Sequence, residues 1–411
     1  MRGLPLILVA ATLTGEGHAI AGQTLVEGER ARLSLGGYAL MLGGLQEMRF
    51  DLAPDAPDPP PPDHLGLSTS VLRLEWKAEL GQHVSAEVHQ RVFLRVSSEA
   101  PSGEKLGLGA SAVPSRTLDL RSVAYDEERL LLEHDLDRLV VRAGLGDFDI
   151  NLGRQAITWG FASLFPVADL WTTFSPFELD TSQKRGIDAL RILYSHSRSL
   201  ELEGVVADRG SLRDLSAGLR AVTYLSSADI YLAFTKQWRE LIVLGGAGAV
   251  LGDFKLRAEG AAPYDLDSSV LSRPRASMGV DWLHRKVTLT LEGHYNGTGV
   301  PRASDYLTHV TTSAIVARGE TYLLGRWYAG AAANWRISEL FHFVFTVLGN
   351  LRDPSVVLAS ALTFQLSQET ALSLGAFQGL GKIPLIGAVP ELRSEFGSAG
   401  GLYYLSLSAF F

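Results

Sequence analysis

Apolar and polar residues alternate with period two over long segments of this chain, and that repeat constrains its fold more than any other feature. In 71–79, Leu72, Leu74, Trp76 and Ala78 alternate with Arg73, Glu75, Lys77 and Glu79. In 85–96, Val88, Val92, Leu94 and Val96 oppose Glu87, His89, Arg91 and Arg95. Phe254, Leu256 and Ala258 alternate with Lys255, Arg257 and Glu259; Val287, Leu289 and Leu291 with Thr288, Thr290 and Glu292; Phe341, Phe343, Phe345 and Val347 with His342 and Thr346. Period two sends successive side chains to opposite faces of a strand, so each segment reads as a strand between two different solvents. A soluble sandwich shares the alternation. Length separates the two: these segments run about 10–14 residues, against about 5–6 for a soluble strand, which suits a tilted strand crossing a bilayer.

Composition agrees. No stretch reaches the ~18 consecutive apolar residues of a membrane helix, and the longest candidate, 241–252, is broken by glycines. Yet only 20% of residues are charged, 42 of 411 are Gly, and there are 17 Phe, 12 Tyr and 7 Trp. Several aromatics (Trp76, Trp238, Trp282, Tyr295, Trp327, Trp335) sit near segment ends, where interface girdles form. Cysteine is absent, which excludes disulfides, thiolate metal sites and a cysteine nucleophile. A net charge of −8 argues against nucleic acid as a partner. The expected fold class is all-β: a transmembrane antiparallel up-and-down β-barrel.

Connector lengths give a topology. Short turns such as 81–83, 146–148, 226–227, 284–285 and 367–368 alternate with long connections at 51–67, 98–129, 160–184, 297–319 and 381–397. Outer-membrane barrels have short periplasmic turns and longer outer loops. About 18 strands result, starting near 31, 68, 83, 130, 149, 186, 199, 214, 228, 240, 253, 274, 285, 320, 338, 355, 369 and 399. Six of the 17 prolines lie in 54–62, inside the first long connection, as strand chemistry requires. Two places break the alternation. Leu132, His134 and Leu136 differ in parity from Leu139, Val141, Ala143 and Leu145, which a bulge near Asp137 would repair. Asp188 and Arg191 also differ in parity, so both face the lumen only if another irregularity intervenes. At the start, Arg2, an apolar run over 4–13 and Ala19-Ile20-Ala21 read as a secretory signal cleaved after Ala21. The expected organisation is a signal peptide over 1–21 and one barrel over 22–411, located in the bacterial outer membrane.

Catalytic motifs are missing. There is no G-x-S-x-G elbow and no H-E-x-x-H, and the ten histidines are scattered. Gly379-Leu380-Gly381-Lys382 fails as a phosphate loop because position 376 is Ala and Ile383 stands where Ser or Thr is needed. No enzyme activity, metal or cofactor is expected.

The most distinctive segment is Gly153-Arg154-Gln155-Ala156-Ile157-Thr158-Trp159-Gly160, followed by Asp169, Trp171, Asp180 and Arg185-Gly186-Ile187-Asp188-Ala189-Leu190-Arg191. It is a strand, a long aromatic and acidic connection, and a charged returning strand. Apolar residues in a long connection gain by burial, so the 160–184 segment is expected to fold into the lumen. Arg154, Arg185 and Arg191 would then hold Asp169, Asp180 or Asp188, either in a constriction with Trp159 and Trp171 or as an ion-pair latch on the wall; the two are compatible. Inward-phased charges elsewhere are Arg73, Lys77, Arg91, Arg95, Lys255, Arg257 and Arg326 against Glu75, Glu79, Glu87, Glu259 and Glu292. That is either a mildly basic lining suited to anionic cargo, with Arg257 and Arg326 in the pore, or a salt-bridge mesh.

The chain closes on Tyr403, Leu405, Leu407, Ala409 and Phe411 in alternation, which resembles the C-terminal strand of bacterial outer-membrane proteins. The 153–191 segment resembles one shared by porin-like outer-membrane barrels that pair GRQ-x-x-x-WG with G-x-D-A-L-R, and is similar to alginate-export and exopolysaccharide-secretion barrels. That resemblance implies a channel exporting a polysaccharide, with outer-membrane lipid around it and a periplasmic polysaccharide-export protein as partner. Two alternatives stay open: a passive diffusion porin for small solutes, and a surface interaction barrel.

Overall fold

The period-two segments close into one antiparallel barrel of 18 strands. The computed structural model describes residues 22–99, 116–171 and 183–411. The signal segment 1–21 lies outside the described residues. The wall strands are β1 (Ala31–Glu47), β2 (His64–Leu80), β3 (Val84–Ser97), β4 (Leu130–Leu145), β5 (Phe148–Gln155) and β6 (Ile187–Ser197). Next come β7 (Leu200–Ala207), β8 (Ser216–Tyr224), β9 (Ala228–Gln237), β10 (Glu240–Leu251), β11 (Phe254–Asp265) and β12 (Arg275–His284). The last six are β13 (Val287–Asn296), β14 (Trp327–Arg336), β15 (Phe341–Asn350), β16 (Ser355–Gln365), β17 (Thr370–Leu380) and β18 (Gly401–Phe410). Each strand pairs with its neighbours in sequence, and β18 closes on β1 with Tyr38 opposite Phe410 and Glu47 opposite Gly401. Closure leaves no open edge in the ladder at this seam.

Every observed strand begins within four residues of its expected start except β14, which begins at Trp327 rather than near 320. Residues 320–326 instead belong to the outer connection. That connection carries two short helices, α1 (Tyr306–Thr312) and α2 (Ala314–Ala317).

The two faces separate as the alternation requires. Leu72, Leu139, Leu152, Leu219, Leu232, Leu289, Leu291, Leu374 and Leu405 project outward and are exposed, while Arg73, Arg91, Arg257, Glu259 and Glu292 are buried inside. An exterior of exposed leucines is stable only in hydrocarbon. Aromatic pairs mark the rims: Phe148–Tyr194 at 4.7 Å and Phe341–Phe364 at 4.8 Å near the short turns, and Tyr295–Trp327 at 4.6 Å at the opposite end. Trp238 departs from its expected girdle place. It sits in the outer turn after β9, its ring between the guanidinium groups of Arg209 (5.2 Å) and Arg318 (4.9 Å).

The bulge falls at Asp137: His89 pairs with Arg138 and Gln90 with Leu136, so Asp137 is the extra residue. Asp137 and Arg138 are both buried as a result. The Asp137 carboxylate accepts from Arg73 at 2.7 Å.

β5 is only 8 residues long beside the 16 of β4. Beyond Gln155 the chain leaves the wall. The edge of β4 that β5 vacates is covered by an added strand, Arg121–Glu127, paired to the outer end of β4.

Candidate functional site within the lumen

The segment leaving the wall after Gln155 turns into the barrel. Ile157, Trp159, Val167, Ala168, Leu170 and Trp171 are buried against inward side chains of β6 to β11, among them Ile187, Val205, Val222, Tyr231, Ile242 and Leu244. Its far end, Leu164 and Phe165, reaches Tyr328, Leu348 and Val357 on β14, β15 and β16. The segment therefore runs along the inner wall and back. Trp171 returns edge-on to Trp159, with ring centroids 5.3 Å apart.

Two wall glutamates hold it there. Glu259 on β11 accepts the backbone N–H groups of Phe161 (2.7 Å), Ala162 (3.2 Å), Val167 (2.5 Å) and Ala168 (3.3 Å). Glu292 on β13 accepts those of Ser163 (2.9 Å), Leu164 (3.2 Å) and Phe165 (2.7 Å). Between them, Ser277 of β12 donates to the Phe165 carbonyl at 2.6 Å. A carboxylate in a closed lumen is costly unless its lone pairs are filled. Here backbone N–H groups, which an irregular segment would otherwise leave unsatisfied, fill them. Glycine is required where the chain enters: Gly160 has φ +99°, and a Cβ there would lie 2.7 Å from the Glu259 carboxylate. Gly153 is as constrained, with φ +118° and the Leu139 carbonyl 2.1 Å from any Cβ.

The residues singled out from sequence divide into three groups. Trp159, Asp169, Trp171, Arg191 and Arg257 lie inside. Asp169 is held by Lys184, which also reaches Thr158 Oγ1 at 3.0 Å. Burial pushes the Asp169 carboxyl up to about 6 against the pull of Lys184. Arg191 donates to Glu203 at 2.6 Å, and Arg257 to Asp281 at 2.8 Å with Glu292 at 3.6 Å. Arg185 is half-buried at the return to β6, and Asp180 lies outside the described residues.

Arg154 and Asp188 form the second group. They are directly opposite each other in the ladder and in register with the lipid-facing Leu139. They do not line the lumen. The Arg154 guanidinium lies in the plane of the wall, donating to Asp188 (2.8 and 3.1 Å), to the Leu136 carbonyl (2.7 Å) and to the Leu118 carbonyl. Asp188 also accepts the N–H groups of Thr117 and Leu118, each at 3.0 Å. Together they close the breach where β5 departs, so the second irregularity expected from parity is unnecessary. Arg326, the third case, is a correction: it precedes β14 and donates to the Gly299 carbonyl at 2.9 Å within the outer connection. The shift of the β14 start to Trp327 is the cause.

A second inward fold was not visible in the sequence. Glu395, on the connection between β17 and β18, accepts from Leu324 N (2.9 Å), Gly325 N (3.3 Å), the Tyr328 hydroxyl (2.5 Å) and Asn350 Nδ2 (2.7 Å). Phe396 beside it packs into the cluster that holds Phe165. The 297–326 and 381–400 connections and the pinned segment thus meet above β14–β16. Glu259 and Glu292 were phased inward from sequence, but only as lining charges; their role as anchors has no sequence signal, since it depends on where the opposing backbone goes.

The inward charges are mostly consumed in pairs. Arg73 meets Asp137 and Glu75, Arg220 meets Glu203, and Arg91 lies 3.9 Å from Glu133. The mesh reading of the lining therefore describes most of the wall. Arg275 stands apart: it is buried, its Nε has no hydrogen-bond partner, and Glu320 and Glu240 act on it only as nearby charges.

No family model matches the chain, and no curated protein does. Solved structures do. OccAB4 of Acinetobacter baumannii superposes with a TM-score of 0.58 at 9% identity, over 93% of this chain and 98% of that one. OpdK of Pseudomonas aeruginosa, solved with vanillate, gives 0.55 at 8% identity over 92% and 98%. The fold is that of an outer-membrane porin. A BenF-like porin from Pseudomonas fluorescens Pf-5 is similar too, with a TM-score of 0.54 at 11% identity over 93% and 99%. At these identities the likeness carries the fold alone. It supports the porin-like half of the resemblance read from 153–191 and lends nothing to the polysaccharide-export half.

Proposed function

We propose that this protein is a passive outer-membrane channel for small solutes, narrowed by the segment after Gln155. One observation carries the reading: seven backbone N–H groups of that segment are bound by Glu259 and Glu292 inside a closed barrel. A segment so held restricts what passes and favours solutes of limited size. This bears against a polymer export channel, which needs an unobstructed bore. The similar barrels named above point the same way, one of them having been solved with vanillate. Trp159, Asp169, Trp171, Arg191 and Arg257 are the residues we assign to the narrow region, and Arg154, Asp188 and Arg185 to its support. With most lining charge paired, Arg275 gives the lumen a bias toward anionic solutes. Diffusion through such a pore needs no catalytic group.

The test is conductance in planar bilayers. The wild-type protein should form small, stable channels. The double variant Glu259→Ala/Glu292→Ala strands the buried donors at about 1–3 kcal/mol each, so the segment should leave the wall and conductance should rise several-fold while the barrel stays heat-modifiable on gels. A barrel that assembles but conducts nothing in either form would reject the channel reading.

A further inference from the structure

We infer that the 381–400 connection is an acid-tightened lid over the outer mouth, with Glu395 as its proton-sensitive catch. The inference rests on the channel reading above and goes beyond it. The catch is a junction of separate elements. Glu395 meets backbone N–H groups from 320–326, the Tyr328 hydroxyl from β14 and the Asn350 amide from β15. Its own N–H donates to Asp353 Oδ2 at 2.7 Å, and Asp353 also receives the Ser355 hydroxyl at 2.5 Å. Tyr306 of α1 reaches the same place through Asn350, at 2.8 Å.

The charge inventory of this junction is unusual. The titratable groups facing Glu395 are Tyr328, Tyr306 and Asp353, and Asp353 is a second acid. Among the described residues no cation lies within ion-pair distance of Glu395. Glu292 differs, with Arg257 3.6 Å away. A buried carboxylate surrounded by neutral donors and another acid is strained by its own charge. Burial, with a smaller push from Asp353, raises the Glu395 carboxyl to about 7, although the Tyr328, Leu324 and Asn350 donors pull it down.

Linkage then fixes the sign. When the connection swings out, the carboxyl meets water and returns to an ordinary value of about 4.3. The closed state therefore binds more protons than the open state between about pH 4.3 and 7. Closure strengthens as pH falls through that window and weakens as pH rises through 7. Between pH 8 and pH 5.5 the closed-to-open ratio should grow roughly 30-fold.

The experiment is single-channel recording from pH 8 to pH 5.5, on barrels first shown to be assembled by heat-modifiable migration. Wild-type channels should spend more time in the low-conductance state as pH falls, with the change setting in near neutrality and growing below it. Glu395→Gln keeps the donors' acceptor but cannot ionise, so it should resemble acid wild type at every pH. Asp353→Asn removes the neighbouring charge and should move the wild-type transition to lower pH. A flat wild-type profile, or a Glu395→Gln profile that still follows pH as wild type does, would overturn the lid. Absence of conductance at every pH would instead count against the channel itself.

Discussion

Two stretches of chain fold into this barrel, and they are fastened in opposite senses. For the segment after Gln155 the wall supplies the carboxylates and the segment supplies the N–H donors. For 381–400 the loop supplies the carboxylate, and strand ends and a neighbouring connection supply the donors. The first fastening is distributed over two acids, seven donors and an apolar cluster of some depth. The second centres on one acid at a junction of loops, with Phe396 in a smaller apolar cluster and a short pairing of Leu385 and Ile386 with Asp51 and Leu52 beside it. Distributed anchoring makes the first a fixed part of the bore; a single titratable catch makes the second adjustable. The roots differ as well. The first segment leaves through a breach in the wall that Arg154 and Asp188 close, whereas β17 and β18 remain paired to one another beneath the second.

That difference in roots can be broken at Arg154, where the largest effect is expected. Arg154→Ala leaves the half-buried Asp188 with only the Thr117 and Leu118 N–H groups; loss of one member of a fully buried pair costs about 3–5 kcal/mol, which sets the upper bound here. The denaturation midpoint of the assembled barrel should fall accordingly, and the first segment should lose its fixed entry, seen as increased conductance noise. Arg154→Lys should recover only part of this, because an ammonium cannot reproduce the planar fork that meets Asp188 and the Leu136 carbonyl together. Full recovery by lysine would show that charge alone, not the wall-plane geometry, secures the breach.

How far the sequence discloses each stretch follows from the same comparison. The wall is legible because period two is forced by having lipid on one side and a polar lumen on the other; the Asp137 bulge is legible for the same reason, as a local exchange of faces. Inward folding of the first segment is legible from its apolar residues, and residues 157–171 do fold inward. Arg154 and Asp188 were legible as charges able to form ion pairs, but neither their pairing with each other nor their place in the wall was, because the breach exists only once β5 stops short. The second stretch has no period and a smaller share of apolar residues than the first. Glu395 acquires its partners from Leu324, Tyr328 and Asn350, 45 to 71 positions away. Nothing in local sequence encodes that meeting. The misplaced start of β14 has the same origin, since 320–326 is held by Glu395 rather than by the ladder.

A smaller effect tests the phase on which both fastenings depend. Glu292 anchors the first segment only if even positions of β13 face inward. Leu289→Arg should then impair insertion by about 2–4 kcal/mol if it lies near the bilayer midplane. Thr290→Arg should be much milder: Thr290 donates to Asp281 at 2.7 Å on the lumen side, where an added guanidinium finds water and carboxylates. Folding yield into lipid vesicles measures both. Equal damage would place residue 290 in lipid and detach Glu292 from its proposed role.

The smallest expected effect concerns ion preference, and it separates paired from unpaired lumen charge. Arg318 is tied to Glu320 at 2.6 Å, so its field is largely cancelled nearby. Arg275 has Glu320 and Glu240 only as more distant neighbours and no hydrogen bond at Nε. A unit charge acting on a passing ion across about 7 Å of water is worth ~0.6 kcal/mol, a factor of about three in relative permeability. Arg275→Gln should therefore shift the reversal potential in a salt gradient toward cations by roughly that factor, and the shift should shrink as salt rises and screening shortens its reach. Replacing the whole neighbouring pair, Arg318→Gln/Glu320→Gln, removes no net charge and should leave the reversal potential nearly unchanged. If the pair substitution moves the reversal potential as far as Arg275→Gln does, the bias assigned to Arg275 belongs to the outer connections as a whole.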